Sequence, residues 1–281
     1  MRANVVAFFS LLSSLASALD PPNYPGLRTL WAENFAGGAG SRPNTGRWNI
    51  ITNVRTNNEV QDYTESSQNL QLSGGGTLQI VPRNNGGRWT SGRIETKATF
   101  TPEKGKVTVF EGVLRFGDNP TDRKQGIWPA FWMLGDSIHH GTPWPNCGEL
   151  DIMETINGVP ATYGTVHCGS FPGGPCNEPV GRAQSTGISP TGWHTYTVRI
   201  NRQAGNWRDE FIQWERDGEV YHTLTGAAIN DEGVWGTLAH SPLFILLNVA
   251  VGGDWPGMPN GATADGYGSM MEVEYVAVYS T

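Results

Sequence analysis

Apolar and polar residues alternate with a period of two along much of the chain, in short segments separated by clusters of Gly, Pro, Asn and Asp. This period is typical of β-strands with one buried face, because successive side chains point to opposite sides of a strand. The last segment predicts a strand with apolar residues on one face and glutamates on the other, namely Val273, Tyr275, Ala277 and Tyr279 against Glu272 and Glu274.

Two other segments add a hairpin and a central strand. Asp217-Gly218 lies between the apolar-rich segments 211–214 and 220–224, which predicts a tight hairpin. Residues 243–251 form a nearly continuous apolar run, as expected for a strand buried on both faces. Because 37 Gly and 18 Pro supply turns and no long amphipathic helix is evident, we predict an all-β sandwich of two antiparallel sheets.

Three carboxylates, Glu149, Asp151 and Glu154, lie within the stretch C-G-E-L-D-I-M-E-T. On a regular strand Glu149 and Asp151 share a face, whereas Glu154 points the opposite way. A β-bulge at Ile152 or Met153 adds one residue and returns Glu154 to the shared face. A helix would give no shared triad. We therefore predict a bulged strand that carries three acids on one surface.

This acid cluster favours catalysis. Closely spaced carboxylates repel one another and lose solvation when buried, so a fold retains them for a function. A retaining glycosidase uses two carboxyl groups about 5 to 5.5 Å apart across a sugar, one as nucleophile and one as acid/base. Asp151 would then hydrogen-bond the nucleophile. The alternatives are a metal cluster and a solvated polar face, although calcium sites usually come from Asn-, Asp- and Gly-rich loops.

The stretches G-I-W-P-A-F-W-M-L-G (126–135) and W-P-N-C-G-E-L-D-I-M-E (144–154) resemble the signature of glycoside hydrolase family 16. Within that family they are most similar to secreted, fungal-like, laminarinase-type endo-β-1,3(4)-glucanases. Other segments agree in order and spacing, among them T-S-G-R-I-E-T, G-T-V-H and L-L-N-V-A-V-G-G-D-W-P-G. The resemblance implies a jelly-roll sandwich with a substrate cleft across its concave sheet, and one catalytic domain over residues 19–281.

The resemblance also implies an activity. It is endo-acting, retaining hydrolysis of β-1,3 and mixed β-1,3/1,4 glucan by double displacement, with Glu149 as nucleophile, Glu154 as acid/base and Asp151 supporting Glu149. Three alternatives stay open: a glucan transglycosylase, a non-catalytic β-glucan-binding sandwich, and a relative that cuts galactans. No cofactor is needed for the chemistry.

Several side chains are predicted to bind the β-glucan. Trp128 and Trp132 share one strand face, which suits stacking against sugar rings. The resemblance adds a loop tryptophan, a strand arginine, a polar residue at the non-reducing side and a histidine near the acid/base: Trp255, Arg93, Asn58 and His167. For these the alternatives are core packing, an ion pair of Arg93 with Glu95 or Glu111, a turn role for Asn58 and a structural histidine.

The N-terminal residues and the charge predict a secreted protein. Residues 1–18 combine Arg2, an apolar run and Ala16-Ser17-Ala18, which fits a signal peptide. The net charge of −7 and the lack of a basic run argue against nucleic acid and anionic lipid as partners. We expect an extracellular monomer with no membrane attachment.

The three cysteines predict one disulfide. Cys168 and Cys176 are separated by the turn-rich stretch G-S-F-P-G-G-P, so we expect them to pair in an oxidising compartment, although pairing with Cys147 stays open. Cys147 is expected to be a buried thiol.

The resemblance further implies a structural calcium far from the cleft, for which Glu33 and Glu274 are the matching acids. Many relatives have aspartate at the second position.

Overall fold

The computed structural model describes residues 18–281, so the predicted signal peptide lies outside the described residues except for Ala18. The described residues form β1 (Arg28–Glu33), β2 (Trp48–Ile50), β3 (Asp62–Tyr63), β4 (Leu70–Leu72), β5 (Leu78–Ile80), β6 (Arg83–Asn85), β7 (Arg88–Ser91), β8 (Arg93–Thr96) and β9 (Val107–Phe116). They continue with β10 (Ile127–Gly135), β11 (Glu149–Glu154), β12 (Ala161–His167), β13 (Arg182–Gly187), β14 (His194–Asn201), β15 (Phe211–Arg216), β16 (Glu219–Thr225), α1 (Gly226–Ile229), α2 (Glu232–Ala239), β17 (Leu243–Val251) and β18 (Met271–Ser280).

Two large antiparallel sheets dominate the fold. The eight-stranded sheet has the order β16-β15-β14-β9-β18-β5-β4, with β1 also paired to β18. The seven-stranded sheet has the order β13-β12-β11-β10-β17-β8-β2. This confirms the predicted jelly-roll sandwich. A small third sheet, β3-β7-β6, contains the parallel pair β3 and β7, which the sequence pattern did not predict.

The core lies between the two large sheets. Alternate residues of β10, such as Phe131 and Met133, meet alternate residues of β9, such as Phe110 and Leu114, in one apolar cluster. All nine residues of β17 are buried, which confirms the predicted central strand. The residues of β10 that point away from this core lie on the outer face of the seven-stranded sheet.

The predicted hairpin is confirmed. β15 and β16 pair in antiparallel register, and Asp217 and Gly218 connect them with φ values of 53° and 81°. Positive φ at both turn residues is what a type I′ hairpin turn requires, and Asp-Gly is among the sequences preferred there.

The predicted face pattern of the last strand is wrong. The register of β18 against β9 shifts between Val273 and Tyr275, so an extra residue interrupts the alternation. Val273 therefore packs in the main core, whereas Tyr275 and the alternate residues that follow it pack on the outer face of the eight-stranded sheet. Glu272 shares that outer face, where it pairs with Arg115.

The cysteine pairing agrees with the prediction. Cys168 and Cys176 form a disulfide with a Cα–Cα distance of 5.3 Å, and Cys147 is a buried free thiol. Within residues 18–281, no helix has the length and apolar character needed to cross a membrane.

Candidate active site

A β-bulge in β11 brings the three acids to one face. Asp151 and Met153 pair with consecutive residues of β10, which leaves Ile152 without a ladder partner. The pairing with β12 is irregular at the same place, between Asp151 and Glu154. Ile152 and Met153 are both buried in the main core. The bulge therefore confirms the predicted geometry, since it returns Glu154 to the outer face that carries Glu149 and Asp151.

Glu154 is held by the indole of Trp128. The Trp128 Nε1–H donates to Glu154 Oε1 at 2.9 Å, and Trp128 lies on the outer face of the adjacent strand β10. Burial raises the pKa of Glu154 to about 7, helped by the negative charge of Glu149 and opposed by the Trp128 hydrogen bond. A carboxyl group with this pKa is protonated in mildly acidic solution and can exchange a proton near neutrality.

Asp151 and Glu149 have different surroundings. Burial raises the pKa of Asp151 well above its ordinary value, and the charges of Glu154 and Glu149 raise it further. Its Oδ2 has no hydrogen-bond partner among the described residues. Burial also raises the pKa of Glu149, but the neighbouring charge of His167 opposes this effect. A cation therefore favours the ionised form of Glu149, as a nucleophile needs.

His167 lies between two groups of carboxylates. Its Nε2 is 3.7 Å from Asp151 Oδ2 and 4.0 Å from Glu149 Oε1. Its Nδ1 donates to Glu178 Oε2 at 2.7 Å. Burial alone would lower the pKa of His167, but the Glu178 hydrogen bond and the surrounding carboxylates raise it above its ordinary value. The imidazole is therefore favoured as a cation in this site.

The same three residues are close enough to contact one metal ion. Each residue offers one ligand atom, and these atoms of Glu149, Asp151 and His167 lie within 4.8 Å of one another. Among residues 18–281, no fourth His, Cys, Asp or Glu joins this group. Closed zinc sites have four protein ligands and calcium takes six to eight oxygens, so these side chains alone complete neither kind of site.

Arg93 and Trp132 form a polar and aromatic pair beside the acids. The Arg93 guanidinium lies 4.9 Å from the centre of the Trp132 ring, and Trp132 Nε1 donates to Asn248 Oδ1 at 2.8 Å. Arg93 is buried and its Nε has no hydrogen-bond partner within the described part of the chain. Its positive charge also opposes the rise in the pKa of Glu149 that burial causes. The alternative ion pairs with Glu95 and Glu111 do not occur among the described residues.

Asn58 and Trp255 belong to one wall of the cleft. Asn58 has a left-handed backbone with φ of 57°, as a turn residue would, and its side chain donates to Asp254 Oδ1 at 2.8 Å. The adjacent Trp255 is 42% exposed and contacts Trp128 edge-on with the ring centres 5.6 Å apart. Asn58 therefore fixes the loop that presents Trp255 next to the Glu154 end of the site.

Several residues of the site were not predicted. Tyr163 packs against Trp255, with ring centres 5.1 Å apart. Trp144 lies 5.5 Å from the His167 ring and 6.2 Å from Phe171, and both aromatic side chains are exposed. Trp144 could have been found, since it lies in the same motif as the acids. Glu178 carries no local signal, because only the folded loop brings it to His167.

At the position where the resemblance implies calcium, Glu33 contacts an arginine. Glu33 Oε2 lies 3.1 Å from Arg47 Nε, and Arg47 also donates to the carbonyl of Ala32. A cavity of about 360 Å³ opens beside Glu33 and is lined by Asp20, Asn34 and Arg47 among others, but Glu274 does not line it. The arginine already contacts the oxygens that a cation would take, so these residues do not fit Ca²⁺ as they stand.

An antiparallel β-sandwich that carries three acids between tryptophans on one open face is the arrangement of a carbohydrate-cleaving enzyme. The chain belongs to glycoside hydrolase family 16. A family model described as XgeA-like, catalytic GH16 domain matches residues 41–206.

Solved and curated proteins agree with this assignment. The chain is similar to an endo-1,3-β-glucanase structure from Streptomyces sioyaensis, with 39% identity, a TM-score of 0.87, and coverage of 92% of this chain and 98% of that one. It is 30% identical to a glucan endo-1,3-β-glucosidase from Cryptopygus antarcticus over 88% of this chain and 89% of the relative. It is 29% identical to glucan endo-1,3-β-glucosidase A1 from Niallia circulans over 95% of this chain, but spans only 39% of that protein's length.

Proposed function

We propose that this chain is an endo-acting, retaining β-glucanase that hydrolyses internal β-1,3 linkages and mixed β-1,3/1,4 linkages. The observation that carries this proposal is the bulge at Ile152, which places Glu149, Asp151 and Glu154 on the open face of the seven-stranded sheet. The names of the relatives, which are endo-1,3-β-glucanases or glucan endo-1,3-β-glucosidases, support the substrate class.

In the proposed first step, Glu149 attacks the anomeric carbon and Glu154 gives its proton to the glycosidic oxygen. The bond from the anomeric carbon to that oxygen breaks as the bond to the Glu149 carboxylate forms. The opposite protonation needs of the two acids match their surroundings, because His167 favours ionised Glu149 while burial keeps Glu154 protonated up to a pH of about 7.

In the second step, Glu154 removes a proton from water, and the water oxygen displaces Glu149 from the anomeric carbon. Two inversions give net retention of configuration. Asp151, for which burial and neighbouring charges favour the protonated form, is suited to donate a hydrogen bond to Glu149 as it leaves.

The cleft has aromatic side chains at both ends of the acid cluster. Trp128 and Trp255 lie at the Glu154 end, and Trp144 lies beside His167 at the Glu149 end. Such rings stack on the C–H faces of pyranoses, and the Arg93 guanidinium lies beside the Trp132 ring on the same sheet. A neutral polysaccharide also suits a chain of net charge −7, since it needs no electrostatic steering.

The test is release of reducing ends from soluble β-1,3-glucan by the wild type and by Glu149→Gln, with mixed-linkage glucan and agarose as comparison substrates. We expect the variant to lose about 10⁴-fold or more in kcat while it still binds glucan, because the aromatic side chains are unchanged. Activity of the variant near the wild-type value would contradict the nucleophile. Wild-type activity on agarose alone would replace the glucan proposal by a galactan one.

Water and a second sugar compete for the same glycosyl-enzyme. We propose hydrolysis as the main outcome, and product analysis at high acceptor concentration tests it. Chains longer than the substrate as the major product would instead identify a transglycosylase.

We also propose that the mature protein is a secreted monomer. The Cys168–Cys176 disulfide supports an oxidising destination. N-terminal sequencing of protein recovered from the medium should begin at Leu19, and light scattering should give the mass of one chain. Retention of residues 1–18 in the mature protein would contradict the signal peptide.

A further inference from the structure

A buried glutamate outside the acid motif contacts the histidine of the site. The Glu178 side chain is 0% exposed, and its two oxygens bind consecutive residues at the end of β12. Oε2 accepts from His167 Nδ1 at 2.7 Å, and Oε1 accepts from the backbone N–H of Cys168 at 2.8 Å. Burying a carboxylate is costly unless it is hydrogen-bonded and compensated, so this contact needs a reason beyond packing.

The contact fixes the proton arrangement of the imidazole. A carboxylate only accepts, so the His167 Nδ1 that faces Glu178 carries a hydrogen. The other nitrogen, Nε2, faces Asp151 and Glu149 at 3.7 and 4.0 Å. Within residues 18–281, the ion-pair contacts of the ring are all with carboxyl groups: Glu178 at Nδ1, and Asp151 and Glu149 at Nε2. The charge of Glu154 also acts on the ring.

Packing holds the ring in this orientation. Trp144 covers one side, with ring centres 5.5 Å apart. Gly181 has φ of 73°, and a Cβ built there would lie 2.8 Å from His167 Cε1, so the backbone approaches the ring as closely as only glycine permits.

The disulfide loop holds Glu178. Gly173, inside the loop closed by Cys168 and Cys176, exchanges two backbone hydrogen bonds with Glu178, of 2.8 and 2.6 Å. A covalent ring and a backbone bridge thus connect the loop to the carboxylate, and the carboxylate connects it to His167. The loop is part of the support of the active site.

We infer that Glu178 is a positioning residue for the glycosidase reaction, which orients His167 and keeps its Nδ1 protonated so that the positive charge of the ring faces Glu149. The inference rests on the proposed function. Through the charge of His167, Glu178 favours the ionised nucleophile, and the effect of His167 on Glu149 is larger than the direct repulsion between Glu178 and Glu149. A buried acid orients the histidine of a hydrolase triad in the same way.

The first test is Glu178→Gln. The amide has nearly the same volume, but its N–H₂ donates to Nδ1, so the ring becomes neutral with its hydrogen on Nε2. We expect kcat on β-1,3-glucan to fall about 10- to 100-fold with a smaller change in KM, and the acidic limb of the kcat/KM profile to move to higher pH. Wild-type kcat and an unchanged acidic limb in the folded variant would overturn the inference.

A double-mutant cycle separates positioning from general damage. Because Glu178 is inferred to act through His167, Glu178→Gln should have little further effect on kcat in a His167→Ala background. Independent, additive losses would contradict the inference. Should Glu178→Gln lose its fold, Glu178→Asp replaces it, and a kcat equal to that of the wild type would then overturn the inference, since the shorter acid cannot keep both contacts.

Glu210→Gln is the matched control. Glu210 is also buried and accepts from a histidine, His240 Nε2 at 2.5 Å, but it lies outside the acid cluster. The Glu210→Gln variant should be less stable than the wild type, and the acidic limb of its kcat/KM profile should stay at the wild-type pH. An equal shift of the acidic limb in Glu210→Gln would show that the effect is not specific to Glu178.

A spectroscopic measurement makes the inference independent of the activity. The His167 Nδ1–H resonance should be protected and shifted downfield in the wild type, and lost in Glu178→Gln. If the wild type has no glucanase activity but shows this resonance, the proposed function fails while the Glu178–His167 contact stands. If activity is present and the resonance is the same in both proteins, the positioning role fails alone.

Discussion

At the scale of single residues, Glu154 shows how burial and reactivity are linked. It is 8% exposed, and burial raises its pKa to about 7. The unfolded chain ionises such a group near its ordinary value of 4.5. The folded protein therefore loses stability as the pH rises from the unfolded-state pKa through the folded-state pKa. The acid/base has this cost because its proton must be available near neutrality.

Glu154→Gln should therefore be more stable than the wild type in alkaline solution. The amide never ionises, so the variant avoids a loss of about 3 kcal/mol that the wild type undergoes as the pH rises from 4.5 through 7. Urea unfolding at pH 5 and pH 9 measures the difference, which should be larger at pH 9. The exposed Glu219→Gln serves as the control and should show no such change. A stability difference independent of pH would contradict the raised pKa.

At the scale of elements, the sequence predicts the β-bulge in β11 but not the β-bulge in β18. The bulge in β11 was predicted because three acids must share one face, so the odd spacing of Glu154 required one extra residue. The bulge in β18 was not predicted, because the residues that follow Glu274 are apolar on both faces of the strand. A regular alternation fits such a run equally well. A bulge can be predicted where functional side chains must share one face of a strand. It cannot be predicted where apolar residues pack on both faces.

Deleting Ile152 tests the role of the β11 bulge. The shortened stretch E-L-D-M-E places all three acids on one face by regular alternation. The deletion also removes a side chain that is 1% exposed, so we expect a loss of about 2 to 5 kcal/mol in stability. Reducing-end release below the melting temperature should remain well above that of Glu149→Gln.

The matched control for the deletion is Ile152→Ala, which empties the same core position but keeps the bulge. Both variants should lose stability and keep activity. A folded deletion variant with no more activity than Glu149→Gln would show that the acids need the bulged geometry itself, and not only a shared face.

At the scale of the whole molecule, the contacts between distant segments could not be predicted from the sequence. The sandwich, the acid face, the hairpin and the disulfide follow from local patterns. Asn58 reaching Asp254, Glu178 reaching His167 and Arg93 over Trp132 each join segments that no spacing rule connects. The resemblance named Asn58, His167 and Arg93 as candidates, but only the fold shows which groups they meet.

The contact of Glu33 with Arg47 leads to a prediction about calcium. Because a guanidinium already contacts the Glu33 carboxylate and the Ala32 carbonyl, chelation of calcium should leave the melting temperature of the wild type unchanged. Arg47→Gln removes that cation and should cost about 1 to 2 kcal/mol, the lower part of the range for hydrogen bonds to charged groups, because the arginine side chain is 35% exposed. Added calcium should recover part of the loss, because the variant removes the competing cation from the Glu33 carboxylate and the Ala32 carbonyl beside the cavity.

Arg42→Gln is the control for the arginine. Arg42 pairs with Glu65 in solvent, with both side chains more than half exposed, so its loss should change the melting temperature little and give no response to calcium. A lower melting temperature of the wild type after chelation would contradict the role of Arg47, because it would mean that the fold binds calcium while the arginine is present. The ion that the family resemblance implies would then contribute to the stability of this chain.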